Sequence, residues 1–95
     1  TRPFRLSGSR LQVNVDARAG RIQVEVLDRD GKAIPGFSGK DAVEYQAVDK
    51  LRFEPAWKEH KDLSALSSKV VRFRFRLRNA RLYAFQVSEQ VDQNP

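Results

Sequence analysis

Val71-Arg72-Phe73-Arg74-Phe75-Arg76-Leu77-Arg78 alternates apolar and basic residues without a break. Period-two patterning sends one residue type to each face of an extended strand, so Val71, Phe73, Phe75 and Leu77 are predicted to face a core and the four arginines to line the other side. A one-residue slip would bury the arginines, so the pattern also fixes the register. After Asn79-Ala80, the run Arg81-Leu82-Tyr83-Ala84-Phe85-Gln86-Val87 follows as a further strand, and the two are expected to pair antiparallel.

Working outward, Arg10 to Asp16 places Leu11, Val13 and Val15 on one face, and Arg21 to Val26 does the same with Ile22, Val24 and Val26. With Ala17-Arg18-Ala19-Gly20 between them, a hairpin is the economical reading. Asp28-Arg29-Asp30-Gly31 is a turn signal, because Gly tolerates positive φ and Asp bonds its own backbone. Ile34-Pro35-Gly36-Phe37 reads as a loop anchored over the end of a sheet by Ile34 and Phe37. Short strands are expected at Asp41 to Tyr45 and at Lys50 to Trp57, where Pro55 requires an edge or a bulge. Asp62-Leu63-Ser64-Ala65-Leu66 suits one helical turn that plugs the core. Six to eight short strands with at most one helical turn predict an all-β antiparallel β-sandwich, jelly-roll or immunoglobulin-like.

The 95 residues suffice for one domain, expected over residues 1–90 with a frayed tail at 91–95. Apolar residues at 40% and charged residues at 32% give a globular balance. No run approaches the roughly 18 apolar residues of a membrane span, and Thr1-Arg2-Pro3-Phe4 lacks the apolar stretch of a signal peptide. The absence of cysteine excludes disulfide frameworks and Cys-ligated zinc. A chain that begins at Thr and contains no Met is read as a piece of a longer polypeptide. The net charge of +6 has one source: Lys69, Arg72, Arg74, Arg76, Arg78 and Arg81 fall in a segment with no acid, and the remainder holds twelve residues of each sign.

Several segments in one order carry a family resemblance. These are Arg10 to Asp16, then Val24-Glu25-Val26-Leu27-Asp28-Arg29-Asp30-Gly31-Lys32-Ala33-Ile34-Pro35-Gly36-Phe37-Ser38, then Trp57, Asp62 to Leu66, Val71 to Phe75, and Leu82-Tyr83-Ala84-Phe85-Gln86. The combination resembles the small C-terminal β-sandwich domain of bacterial glycoside-hydrolase-like proteins of the family 32 type, where a five-bladed propeller related to invertases and levanases precedes the sandwich. In such proteins the propeller carries the catalytic residues. The resemblance therefore implies a non-catalytic accessory or scaffolding domain with no cofactor. Its partner would be the catalytic domain of the same parent chain, a candidate glycoside hydrolase, in an extracellular or periplasmic setting.

The row Arg72, Arg74, Arg76 and Arg78 is the sharpest candidate site. Its members project from one face at roughly 6.6 Å spacing and repel one another unless acids or a partner lie opposite. Neutralisation by Glu25, Asp16 or Glu54 makes a charge-laced solvent face. Docking of a missing domain and binding of a carbohydrate, in the form of an acidic glycan, or of another polyanion are the functional alternatives. Nucleic acid is not expected, since sheet-type single-strand binders present aromatics and cations on one face, and Phe73 and Phe75 point away from the arginines. No membrane partner is expected either.

Trp57, Tyr45 and Tyr83 are candidate sugar-stacking platforms, with core packing as the competing role. Asp28 and Asp30 begin like a calcium loop but lack the later ligands, so a plain turn is the favoured reading. His60, the one histidine, is expected on an exposed loop. No Gly-x-Ser-x-Gly elbow or cleft-spanning carboxylate pair marks a catalytic site, so none is assigned.

Overall fold

The computed structural model describes residues 1–88, so the expected tail at 91–95 lies outside the described residues. Among the described residues the fold is all-β and antiparallel, with two single 3-10 turns at Gly39–Asp41 and Ser64–Leu66. The described residues form five strands: β1 (Phe4–Arg5), β2 (Arg10–Asp28), β3 (Glu44–Phe53), β4 (Val70–Arg78) and β5 (Arg81–Ser88). The order across the sheet is β1-β4-β2-β3, and β5 also pairs with β2.

The expected hairpin at Ala17 to Gly20 is instead a kink within one 19-residue strand. Along the β2–β3 ladder Ala17 pairs with Val48 and Arg21 with Gln46, so residues 18–20 oppose Ala47 alone. Extra residues on one strand bend it and shift the buried face from odd to even positions, from Val13 and Val15 to Ile22 and Val24. The strands expected at Asp41 to Tyr45 and Lys50 to Trp57 merge likewise into β3, which stops before Pro55 at an edge of the sheet.

A second correction concerns β4 and β5, which do not pair with each other. Both lie antiparallel along the same side of β2: β4 runs from Asp28↔Val71 to Arg21↔Arg78, and β5 continues from Asp16↔Arg81 to Arg10↔Ser88. Asn79-Ala80 is thus a kink opposite residues 17–20 rather than a hairpin turn. Positive φ at Ala47 (57°) and Asn79 (50°) falls on the same fold line as the β2 kink. All three strands bend together there.

Folding along this line brings the two halves of the ribbon face to face. Tyr45 and Phe53 are eight residues apart in β3, about 26 Å along a straight strand, yet their ring centroids are 4.7 Å apart. Phe85 of one half meets Phe73 and Phe75 of the other at 5.5 and 5.2 Å. The core between the halves holds Leu11, Val13, Val15, Ile22, Val24, Val26, Val71 and Phe73. Leu6, Phe37, Leu63 and Leu66 close its rim, with Phe37 delivered by the Ile34-Pro35-Gly36 loop and the two leucines by the segment around the Ser64–Leu66 turn. Burying each such side chain contributes about 1.5–3 kcal/mol, and together they hold the ribbon bent.

Candidate functional site

The arginine row lies on β4 as the pattern requires, and its electrostatics centre on Glu25 of β2. Glu25 sits directly across from Arg74 in the ladder, with Arg76 on the diagonal. Its side chain is only 3% exposed. Oε1 accepts hydrogen bonds from Arg74 Nε and Arg76 Nε, each at 2.8 Å, while Oε2 accepts the Gly39 backbone N–H at 2.7 Å. Burial pushes the carboxyl pKa up, but the bonds from Arg76, Arg74 and Gly39 and the charge of Arg74 outweigh it and bring it down to about 2. Glu25 therefore stays ionised and clamps β4 to the Gly39–Asp41 turn.

One carboxylate serves two guanidinium groups, so the row keeps a cationic excess. Arg72 Nε donates to the Arg29 carbonyl at 3.0 Å, a bond that carries no neutralising charge. Arg78 has no acidic partner among the described residues. Of the three acids that could neutralise the row, only Glu25 reaches it. Asp16 pairs with Arg18, and Glu54 with Arg10. Both carboxyls are held below the usual range, chiefly by those arginine hydrogen bonds.

The apolar side of β4 changes character along its length. Val71 and Phe73 are buried, Phe75 is half-buried, and Leu77, expected in the core, is 39% exposed. Leu77 pairs with Ile22 beside the fold line, and among the described residues its side chain is not fully covered. Phe85 on β5 is 37% exposed. A partly exposed apolar strip thus lies on the face of β4 and β5 opposite the arginines, a feature that period-two patterning alone reads as core.

The aromatic candidates separate. Trp57 is 4% exposed, and its indole N–H donates to the Val24 carbonyl at 2.9 Å, so the ring packs in the core against Phe37 and offers no face to a sugar. Tyr45 is tied down by its hydroxyl, which accepts the Ala56 N–H at 2.9 Å and donates to the Ala56 carbonyl. Tyr83 is 59% exposed, at the irregularity between the Asn14↔Ala84 and Val15↔Leu82 pairs. It is well separated in the ladder from the Glu25 clamp.

Asp28 Oδ1 accepts the backbone N–H groups of Asp30 and Lys32, both at 2.9 Å, which occupies it in the turn. Asp41 Oδ2 accepts the Gly36 N–H at 3.3 Å. Among the described residues, no three His, Asp or Glu side chains converge as a metal would need. His60 departs from expectation: it is half-buried and stacks on Phe37 with centroids 4.3 Å apart.

A further basic feature has no local signal in the sequence. Arg18 and Arg21 flank the β2 kink and line a cleft of about 460 Å³ with Arg78, Gln46 and Asn79. It arises from the fold line, which brings residues from three strands together. Arg18 is paired with Asp16 at 3.0 Å and reaches Asp49 at 3.6 Å, and Arg21 lies 3.7 Å from Glu44.

Compared with models of known protein families, with curated proteins and with solved structures, the chain matches none.

Proposed function

We propose that this chain is a non-catalytic docking domain that packs the β4–β5 side of its folded ribbon against an acidic surface of a partner. The partner implied by the family resemblance is the catalytic propeller of a glycoside-hydrolase-like parent polypeptide. The observation that carries this reading is the exposure of Leu77 and Phe85 on one face of the β4–β5 run, with a row of four guanidinium groups on the other, of which two share the Glu25 carboxylate. Apolar area left exposed on a strand is characteristic of surfaces that another protein covers. The non-catalytic part is supported by the carboxylates themselves: Asp16, Glu25 and Glu54 are held by arginines, and Asp28, Asp41 and Asp62 by backbone N–H groups.

Hydrogen exchange, measured on this chain alone and within its parent polypeptide, tests the reading. Amides of β4 and β5 are expected to exchange about tenfold more slowly when the partner domain is present. Unchanged exchange along both strands would reject docking through this side.

The Arg18, Arg21 and Arg78 cleft favours a second reading, a module that binds an anionic carbohydrate or other polyanion. Titration with a sulfated oligosaccharide would then show salt-sensitive binding that weakens in Arg18→Ser. Saturable binding that ignores both salt and this substitution would dismiss it.

A further inference from the structure

The described residues cover the outer edge of β4 only in part. Pairing with β1 ends at Phe4↔Val71 and Arg5↔Val70. Beyond it Thr1 makes two contacts, its nitrogen donating to the Phe73 carbonyl at 2.9 Å and its Oγ1 accepting the Phe73 N–H at 3.0 Å. Phe73 therefore directs both its backbone groups away from β2. Backbone direction alternates along an antiparallel strand, so the N–H and C=O groups of Phe75 and Leu77 point to the same edge. Among the described residues no strand pairs with them there.

We propose that this edge accepts one added strand, an extended segment of a partner protein in which acidic and apolar residues alternate. The proposal rests on the docking reading and names what docks. A strand added alongside β4 presents its side chains on the same two faces at the same repeat of roughly 6.6 Å. Alternate positions then lie beside Arg74, Arg76 and Arg78, where the charge excess calls for carboxylates. The intervening positions lie beside Phe75 and Leu77, which with Leu82 and Leu27 supply apolar lining to a groove of about 520 Å³ that Arg72 and Arg74 also line, so apolar side chains fit there. The same four backbone groups that leave the edge open supply the ladder. A second copy of this chain is a poor occupant, because edge-to-edge pairing of two β4 strands sets arginine rows side by side and like charges across a ladder repel.

The test uses a fluorescent peptide of four Glu-Val repeats and this chain. Saturable binding is expected. It should weaken about tenfold or more when ionic strength rises from about 0.05 to 0.5 M, as screening shortens. A peptide of the same composition in a Glu-Glu-Val-Val order, and one N-methylated at alternate amides, should each bind at least about tenfold more weakly, because the first breaks the period and the second the ladder. Arg78→Ser, which leaves the Glu25 clamp intact, should weaken the regular peptide several-fold. Absence of binding, equal binding of all three peptides, or a dimer of this chain that excludes the peptide would overturn the proposal. The exchange experiment reads docking separately: protection of β4 and β5 in the parent without peptide binding would leave docking standing and remove strand addition.

Discussion

Gly20 lies so close to Asn79 that a Cβ built on it would overlap the Asn79 carbonyl oxygen, and that of Arg78 as well. This contact is the hinge of the fold, the level at which β2 and the β4–β5 run bend together. Backbone atoms cannot rotate out of the way as a side chain can, so Gly20→Ala must shift the kink itself.

Gly20→Ala is expected to cost about 3 kcal/mol or more in urea unfolding, the range of severe overpacking with backbone displacement. Gly31 supplies the control: its φ is +85°, but a Cβ at this position would meet nothing within 4 Å. Gly31→Ala should cost only about 1 kcal/mol, the conformational term alone. Equal costs at the two positions would show that the kink tolerates a side chain.

Acid should unfold the protein partly through Glu25. Its carboxyl is brought from 4.5 to about 2 in the folded chain. A depressed pKa gives stability that is complete above the unfolded value and lost as pH falls through the folded one. Glu25 thus contributes about 3 kcal/mol near neutrality, lost progressively between about pH 4.5 and 2. Glu25→Gln is expected to be less stable than the parent sequence at pH 7 by a similar amount, with the gap closing over that window. A gap that persists unchanged at pH 2.5 in chemical denaturation would mean that the ionised clamp is not its source.

Trp57 reports on the core as the sole tryptophan. Buried beside Phe37 and bonded to the Val24 carbonyl, it should emit at blue-shifted wavelength and resist iodide quenching. Trp57→Phe leaves that carbonyl unpaired and a void beside it, costing about 2–4 kcal/mol. Red-shifted, readily quenched emission from the native protein would contradict this placement.

The strand faces were legible in the sequence, because Leu11, Val13 and Val15, Ile22, Val24 and Val26, and Val71 and Phe73 must each share a side whatever pairs with them. The connections were not. Ala17-Arg18-Ala19-Gly20 has the composition of a turn, and Asn79-Ala80 does too, but both are kinks in strands that continue. A kink and a turn need the same permissive residues; only pairing with a third strand distinguishes them. The arginine row was legible for the same reason as the faces. That Glu25 reaches it, while Asp16 and Glu54 do not, depends on the β2–β4 register, which no local pattern encodes.

Leu77 and Phe73 share a strand and a face, so alternation gives them equal standing, yet their surroundings differ. Phe73 is enclosed by Phe4 at 5.3 Å and Phe85 at 5.5 Å, whereas Leu77 stands exposed by the fold line. Phe73→Ala is therefore expected to cost about 3–5 kcal/mol, and Leu77→Thr under about 1 kcal/mol, in the chain by itself. Leu77→Thr should also lower binding of a hydrophobic dye, since it removes apolar area from the exposed strip. Within a parent polypeptide whose partner domain covers the strip, the same substitution should become more costly, because Leu77 would then be buried. A cost of about 2 kcal/mol or more in the chain by itself would instead place Leu77 in its core and deprive the docking surface of its apolar centre.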